Sequence, residues 1–190
     1  MAASSVRSER LEVWHTKARR QRFRKAVAVF CFYSCRLILM ATTLIALGAN
    51  LGDRRGNLQR AIALLDRPPA QRVVAHSRWF STAPIGGPAG QAEFVNAAAL
   101  VETSLSPLEL LAVLRDIEAE LGRQRRERWA ARCVDLDLLL FDDLILKTRE
   151  LELPHPRMAF RRFVLEPAAE VAADLLHPVI GWTMGQLLTH

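Results

Sequence analysis

From residue 42 onward, the hydrophobic and polar positions switch between two periodicities. The segment TTLIALGA, residues 42–49, is a short apolar run, and the turn-rich segment NLGDRRGN follows it. The segment LQRAIALLD, residues 58–66, then places its apolar residues at helical spacing and ends before the sequence RPP. This pattern predicts one strand followed by one helix.

Two further strands are predicted next. The segment QRVVAHSRWFS has the apolar alternation that is typical of strands, and the segment EFVNAAALVET also reads as a strand. The segment TAPIGGPAGQA between them is rich in glycine and proline, which favours a loop. The helix is therefore followed by two strands joined by a long connection.

The last predicted elements are a second helix and a fourth strand. The helix has Ser106 as its N-cap and Pro107 at its first position, and it stops at Gly122. The segment CVDLDLLLF, residues 133–141, forms the strand. The order β-α-β-β-α-β predicts an α+β protein of the ferredoxin-like class, with two helices on one face of an antiparallel sheet. An irregular C-terminal extension completes the prediction.

The charge of the chain is concentrated at its N-terminus. The 190 residues carry a formal net charge of +6 and are 51% hydrophobic, as expected of one globular domain. Residues 1–40 hold nine Lys or Arg and two Glu, which leaves 17 basic and 18 acidic residues in 41–190. The domain itself is therefore nearly neutral, which argues against a polyanion as its partner.

The basic segment allows several interpretations. A signal or anchor sequence is disfavoured because Arg36 interrupts the apolar span, whereas an Arg-rich targeting peptide remains an alternative. The favoured interpretation is that translation starts at Met40, so that residues 1–40 lie outside the fold and 41–190 form the domain. The odd number of cysteines, without finger-like spacing, predicts free thiols in a reducing compartment, the cytoplasm.

Two aspartates interrupt the apolar run of the fourth strand. Asp135 and Asp137 are two residues apart and therefore point to the same face of a strand. Two neighbouring carboxylates repel each other unless a cation or a row of donors lies between them. This geometry suits a divalent metal such as Mg²⁺, although a solvated edge strand would show the same pattern.

An arginine-rich loop leads into this strand. Arg123, Arg125, Arg126, Arg128 and Arg132 lie within ten residues. A guanidinium group can bind two phosphate oxygens at once through parallel hydrogen bonds. The position of these arginines beside two aspartates therefore favours phosphate binding over a purely solvated loop. The indole of Trp129, in the same loop, could stack on a flat heterocycle.

Two weaker motifs add to this picture. Phe94 and Asn96 share a strand face beside a loop that contains Thr82 and Pro84, and together they could hold a planar, amide-like ring. His155 lies between two prolines in a rigid extended segment and could reach a phosphate. Each motif taken alone is more often structural.

Four segments together resemble the motifs of a known enzyme family, the 6-hydroxymethyl-7,8-dihydropterin pyrophosphokinases of folate biosynthesis. These segments are ALGANLGDRRGNLQRAIALL, STAPIGGPAGQAEFVNAAALVET, IEAELGRQRRERWAARCVDLDLLLF and LPHPRMAFRRFVLEP. The resemblance runs from about residue 42 to the C-terminus. It implies a ferredoxin-like core, ATP with two Mg²⁺ ions, and transfer of pyrophosphate to the pterin hydroxymethyl oxygen with release of AMP.

The resemblance also implies roles for individual residues. Asp135 and Asp137 would be magnesium ligands, and the catalytic set would comprise Arg123, Arg128, Asp135 and Asp137. ATP would be bound by Glu118, Arg125, Arg132, Leu138, His155 and Arg161, with a capping or helix-surface role as the alternative for Glu118. The pterin pocket would comprise Thr82, Pro84, Ile85, Phe94, Asn96, Trp129 and Phe163.

The chain departs from the family pattern at a few positions. Arg115 stands where some members have Gln, Pro156 where a Tyr can occur, and Phe94 and Ile85 where some members have Tyr and Leu. The arginine loop is also one residue shorter than in some members. The differences at Arg115, at Pro156 and in the loop length concern the recognition of adenine more than the reaction.

Two other classes of protein are less consistent with the sequence. A nucleic-acid-binding domain of this fold would have a basic face and paired exposed aromatic residues, which the domain lacks. A membrane-tethered protein would need residues 26–47 as a span, which Arg36 and the first strand oppose. We therefore expect a monomeric enzyme with small-molecule substrates and neither nucleic acid nor membrane as a partner.

Overall fold

A computed structural model of the protein describes residues 39–84, 90–122 and 132–190. The five longest strands and the first two helices follow the predicted order. They are β1 (Ala41–Ala49), α1 (Arg54–Leu65), β2 (Gln71–His76), β3 (Phe80–Thr82), β4 (Phe94–Thr103), α2 (Pro107–Glu120) and β5 (Asp135–Phe141). The C-terminal part contains β6 (Leu146–Lys147), β7 (Glu152–Leu153), a 3-10 turn (Met158–Phe160), α3 (Arg162–Ala172) and α4 (Met184–Thr189).

The main sheet is antiparallel, and β1 lies at its centre. Its strand order is β2-β4-β1-β5, with β3 paired to the same edge of β4 as β2. Strand β1 pairs with β4 on one side and with β5 on the other. This order and the two helices α1 and α2 confirm the ferredoxin-like class.

Helices α1 and α2 cover one face of the sheet because their apolar residues recur at three- and four-residue intervals. The first hydrophobic core of the protein lies between these helices and the sheet. It contains Leu110, Leu114 and Ile117 of α2, which are almost completely buried, together with α1 side chains and alternate residues of β1, β4 and β5. Ser106 caps α2 in a capping box with Glu109, as its position before a proline predicts.

The C-terminal part is more regular than the expected extension. Helices α3 and α4 pack on the opposite face of the sheet and form a second core with Leu44, Ala98 and Leu139. The sheet is therefore covered on both faces, so alternating residues of its central strands are buried on both sides. This arrangement explains why β1 and β4 read as continuous apolar runs and not as alternating ones.

The predicted strand at residues 71–81 is divided in two. Ser77 lies between β2 and β3, where its backbone N–H donates to the carbonyl of Ala98 and its hydroxyl accepts from the N–H of Ala98. A side-chain oxygen thus replaces a backbone acceptor in the ladder.

None of the helices within the described ranges is both long enough and apolar enough to span a membrane.

The turn between α3 and α4 is built around a buried histidine. The ring Nδ1 of His177 accepts hydrogen bonds from the N–H groups of Val179, at 3.3 Å, and Ile180, at 3.2 Å. Its side chain is shielded from solvent, and this burial lowers the pKa of His177 below its usual value. The neutral ring is therefore part of the folded turn.

We predict that this turn makes stability depend on pH. Because the folded-state pKa of His177 is below the unfolded value of about 6.5, its contribution is complete above that pH and is lost as the pH falls toward the folded-state pKa. Each unit of difference between the two pKa values is worth about 1.4 kcal/mol of unfolding free energy. Urea unfolding at pH 7.5 and pH 5.5 should show that the natural protein loses more unfolding free energy at the lower pH than His177→Asn does. The amide oxygen of the asparagine accepts hydrogen bonds without titrating. Equal losses would contradict this role.

Candidate active site

Three neighbouring strands place a carboxamide, a glycine and a carboxylate in one row. Gly48 of β1 is paired with Asn96 of β4 on one side and with Asp135 of β5 on the other. Residues directly opposite each other in a sheet point to the same face, so the side chains of Asn96 and Asp135 share one face. Their Cα atoms are two strand spacings apart, about 10 Å. Gly48 leaves the space between them open.

The next row repeats this arrangement with small apolar residues. Ala46 of β1 is paired with Ala98 of β4 and with Asp137 of β5. The two aspartates therefore lie along one side of a shallow floor that is formed by Gly48 and Ala46, whereas Ala98 is already covered by the second core. Leu136 is buried in the first core on the opposite face, as the predicted alternation requires.

The carboxamide of Asn96 is oriented by its neighbour. Its Nδ2 donates to the hydroxyl of Thr82 at 2.7 Å, and a Cβ atom placed on Gly48 would lie 3.3 Å from its Oδ1. The carbonyl oxygen of the amide is thus turned toward the glycine. Phe94 lies two residues earlier on the same face and is paired with Thr82. This side of the floor therefore offers an aromatic ring and an amide acceptor.

The C-terminal part brings cationic side chains to the aspartates. The backbone N–H of His155 donates to the carbonyl of Leu139, which attaches this segment to the outer edge of β5. Burial lowers the pKa of His155, and Arg161 and Arg157 lower it further, whereas the carboxylate of Asp137 opposes them. The guanidinium of Arg161 is likewise within electrostatic reach of both aspartates.

Arg132 joins the site from the end of the arginine loop. Its Nη1 lies 2.6 Å from Oδ2 of Asp135, and both side chains are partly exposed, at 35% and 29%. Asp135 thus has a cationic partner three residues before it in the chain. Phe163, the second residue of α3, lies under the guanidinium of Arg161, whose Cζ is 5.6 Å from the ring centroid.

Two of the expected ATP residues have structural contacts. Glu118 is 7% exposed, and its Oε1 accepts from the backbone N–H of Leu136 at 2.8 Å. It is therefore neither a cap nor a surface residue, and it attaches α2 to β5. Leu138 has its side chain in the first core, away from the aspartates, so it could contribute to ATP binding only through its backbone in the edge strand β5.

The remaining expected residues divide into two groups. Pro84 is the last described residue before the gap in the glycine- and proline-rich loop. Ile85, Arg123, Arg125, Arg128 and Trp129 lie outside the described residues. The structure therefore brings together nine of the 17 expected residues: Asp135, Asp137, Arg132, His155, Arg161 and Phe163 on one side, and Thr82, Phe94 and Asn96 on the other.

The acidic pair fits a magnesium ion that is shared with a substrate. In the part of the chain that the structure describes, no group of three or more His, Cys, Asp or Glu side chains converges as a metal cage. Mg²⁺ commonly uses one or two carboxylates and completes its shell with water and phosphate oxygens. Asp135 and Asp137 supply such a partial set.

Sequence reasoning did not identify three residues that shape this site. Gly48 leaves the floor open, Arg157 contributes charge beside His155, and Asn50 accepts from the backbone N–H of Arg132 at 2.7 Å. Only Asn50 had a local signal, because an asparagine that directly follows a strand often satisfies backbone groups nearby. The other two depend on contacts between distant parts of the chain.

Comparison with known proteins identifies relatives of the chain. The family model described as 7,8-dihydro-6-hydroxymethylpterin-pyrophosphokinase (HPPK) matches residues 44–173. A Bacillus subtilis protein named 2-amino-4-hydroxy-6-hydroxymethyldihydropteridine pyrophosphokinase is 48% identical over 131 residues, which cover 69% of this chain and 78% of the relative. A protein of the same name from Pseudomonas aeruginosa is 45% identical over 134 residues, covering 70% and 82%.

Solved structures show the same fold at low identity. The crystal structure of a Plasmodium falciparum HPPK-DHPS triple mutant with STZ-DHP matches with a TM-score of 0.63 and 14% identity. The match covers 82% of this chain and 45% of that chain, so this chain spans less than half of the Plasmodium protein. The likeness concerns the fold.

We predict opposite effects of two substitutions on His155. The carboxylate of Asp137 raises the pKa of His155 against the effect of burial, so Asp137→Asn should lower this pKa further. The guanidinium of Arg157 lowers it, so Arg157→Gln should raise it. An NMR titration of the His155 ring in metal-free protein would measure both shifts. Shifts in the same direction would contradict the described charge arrangement.

Proposed function

The chain belongs to the 7,8-dihydro-6-hydroxymethylpterin-pyrophosphokinase family, and from this premise we propose how its residues carry out the reaction of the family. The reaction is the transfer of pyrophosphate from ATP to hydroxymethyldihydropterin, a step of folate biosynthesis. ATP is the co-substrate, and the enzyme is an ATP-dependent diphosphokinase. The observation that carries the proposal is the row Asn96–Gly48–Asp135, which separates an amide-binding side from an acidic side on one face.

We propose that the acidic side holds two Mg²⁺ ions between the protein and ATP. Asp135 and Asp137 would be the protein ligands, because they face the same side and contribute only part of a coordination shell. When bound, the ions would neutralise phosphate charge and align the attacking and leaving oxygens. Support comes from the cations around the pair, since Arg132 and Arg161 are also suited to phosphate.

The nucleotide would lie along the outer edge of β5. Arg132, Arg161 and His155 surround the aspartates there, and the backbone of Leu138 belongs to the same edge strand. We propose that Glu118 contributes mainly by holding Leu136 in place beside this edge. Three further arginines are included on the family resemblance alone. Arg125 would bind ATP, and Arg123 and Arg128 would be catalytic residues.

The pterin would lie over Gly48, against the opposite side of the floor. The Oδ1 of Asn96 could accept from the amide-like N–H groups of the ring, and the hydroxyl of Thr82 orients this amide. Phe94 and Phe163 supply aromatic faces for stacking. Pro84, Ile85 and Trp129 are included in the pocket on the family resemblance alone.

Catalysis in this arrangement depends on position and charge. The hydroxymethyl oxygen attacks the β-phosphorus of ATP and gives up its proton to solvent, the bond from this phosphorus to the α-phosphate oxygen breaks, and AMP leaves with that oxygen. The chain contributes by holding both substrates on one rigid sheet face and by placing Arg132 and Arg161 where the phosphate charge is redistributed. Burial lowers the pKa of His155 and thereby favours the neutral ring in the ligand-free protein.

We also propose a cytoplasmic, monomeric enzyme without nucleic acid or membrane partners. Support comes from the near-neutral charge of residues 41–190 and from the absence of paired cysteine motifs in the sequence. The substrates are then the only partners that the reaction requires.

We predict that either Asp135→Asn or Asp137→Asn reduces turnover by more than about a hundredfold, since each removes charge that the metal requires. The melting temperature should stay close to that of the natural protein, because neither change removes core volume. AMP formation from ATP, Mg²⁺ and 6-hydroxymethyl-7,8-dihydropterin measures the effect. Asp143→Asn, an exposed substitution just beyond β5, is the matched control and should retain full activity. Near-normal turnover in both site variants would refute the metal assignment.

We predict that removing residues 1–38 leaves the fold and the turnover intact. Within the described ranges, both cores draw their residues from positions 41–188. Circular dichroism, thermal melting and AMP formation would be compared between the shortened and the full chain. An unfolded or inactive product would show that the N-terminal segment contributes to the domain.

A further inference from the structure

We propose that Glu170 is a positioning residue for the pterin, because it joins helix α3 to the corner between β2 and β3. This corner is formed by residues 77–79. Helix α3 carries Phe163, and β3 carries Thr82, two residues that the proposed function places in the pterin pocket. The inference rests on that function and concerns how far apart these two walls of the pocket are held.

The carboxylate of Glu170 is bonded to the backbone and to the side chain of one residue, Arg78. Its Oε1 accepts from the backbone N–H of Arg78 at 2.9 Å and from Nε at 3.2 Å, and its Oε2 accepts from the same Nε at 3.1 Å. The backbone hydrogen bond is the main cause that lowers the pKa of Glu170, so the carboxylate is ionised at neutral pH. Hydrogen bonds to an ionised acceptor are stronger than neutral ones.

The corner that contains Arg78 is itself attached to β4. Ser77 exchanges hydrogen bonds with the N–H and the carbonyl of Ala98, and its hydroxyl donates to the carbonyl of Arg78 at 2.8 Å. Both backbone polar groups of Arg78 are therefore bonded, one to Ser77 and the other to Glu170. Helix α3 is thus tied through this corner to the strand that bears the amide side of the site.

Strand β3 begins two residues after Arg78. Its first residue, Phe80, is paired with Asn96 and therefore shares the face and the row of the site floor. The guanidinium Cζ of Arg78 lies 5.6 Å from the centroid of the Phe80 ring. At the other end of β3, the hydroxyl of Thr82 accepts from Nδ2 of Asn96 at 2.7 Å. A shift of the corner would therefore move the hydroxyl that orients the carboxamide.

Glu170 and Phe163 lie on the same face of α3. They are seven residues apart in the helix, close to two turns, which separates them by about 10 Å along its axis. Phe163 packs against the second core, between α3 and the sheet. One end of this helix face is therefore fixed at the corner by Glu170, and the other end presents the aromatic ring to the site.

The spacing of the two walls should matter more for the pterin than for the nucleotide. Dispersion attraction to a flat ring is largest at about 3.5–4.0 Å and weakens quickly beyond that distance. A pocket whose walls are already held apart by the right distance pays less for ordering when the ligand binds. The nucleotide side has its own anchor, the bond from the N–H of His155 to the carbonyl of Leu139.

The test compares three variants and one control. Glu170→Ala removes every bond to Arg78, Glu170→Gln keeps an oxygen for the backbone N–H, and Arg78→Ala removes the guanidinium but leaves this N–H in place. Glu102→Ala is the matched control, since Glu102 accepts from Arg72 at 3.0 Å between two other positions of the sheet. Thermal melting would show that each variant is folded.

Titration calorimetry would measure two dissociation constants for each protein. The first is that of a non-hydrolysable ATP analogue with Mg²⁺, and the second is that of 6-hydroxymethylpterin with the analogue present at saturation. Glu170→Ala should weaken pterin binding by about fivefold or more, the cost of ordering one or two side chains, and should change binding of the analogue by less than about twofold.

The conservative variants should restore binding. Glu170→Gln and Arg78→Ala should stay within about twofold of the natural protein for both ligands, because the backbone hydrogen bond is retained. Glu102→Ala should change neither constant. A loss that is confined to one substrate and is rescued by glutamine would not follow from a general loss of stability.

The outcomes separate the inference from the function on which it rests. The inference is wrong if Glu170→Ala binds the pterin as the natural protein does, if both ligands are weakened equally, or if Glu170→Gln loses as much affinity as Glu170→Ala. If the natural protein binds neither ligand and forms no AMP, the proposed function is wrong and the inference falls with it.

Discussion

The candidate site depends on the register in which β1 pairs with both of its neighbours. Gly48 is opposite Asn96 and Asp135 at the same time, so three side-chain positions share one row and one face. Because side chains alternate along a strand, a slip of one residue in either pairing would turn one group to the other face. The same register places alternate residues in the first core, so the burial of those side chains stabilises the arrangement of the site.

Charge around the aspartates is balanced by residues from two separate parts of the chain. Arg132 comes from the end of the arginine loop, and Arg161 and His155 come from the C-terminal part. Burial disfavours the charged form of His155, whereas Asp137 favours it, so the ring and the carboxylate affect each other's protonation. A cation bound beside the aspartates would change this balance, as would the phosphates of a nucleotide, which links binding to local electrostatics.

The two faces of the sheet have different tasks. The face under α1 and α2 is mostly apolar core, whereas the opposite face is core beside Leu139 and Ala98 and becomes polar toward Asp135 and Asn96. The second core lets α3 deliver Phe163 and Arg161 to the edge of the polar area. Packing and recognition thus share one layer of the protein, which ties the position of the site residues to the stability of that layer.

The sequence by itself determined the local features. These were the order of the elements, the cap at Ser106 and the common face of Asp135 and Asp137, because each depends on neighbours within a few residues. Tertiary structure alone decided the rest: the cover on the second face and the bond from Asn50 to Arg132, residues 82 positions apart. Such contacts arise from packing and pairing between distant segments, and local periodicity carries no information about which segments will meet.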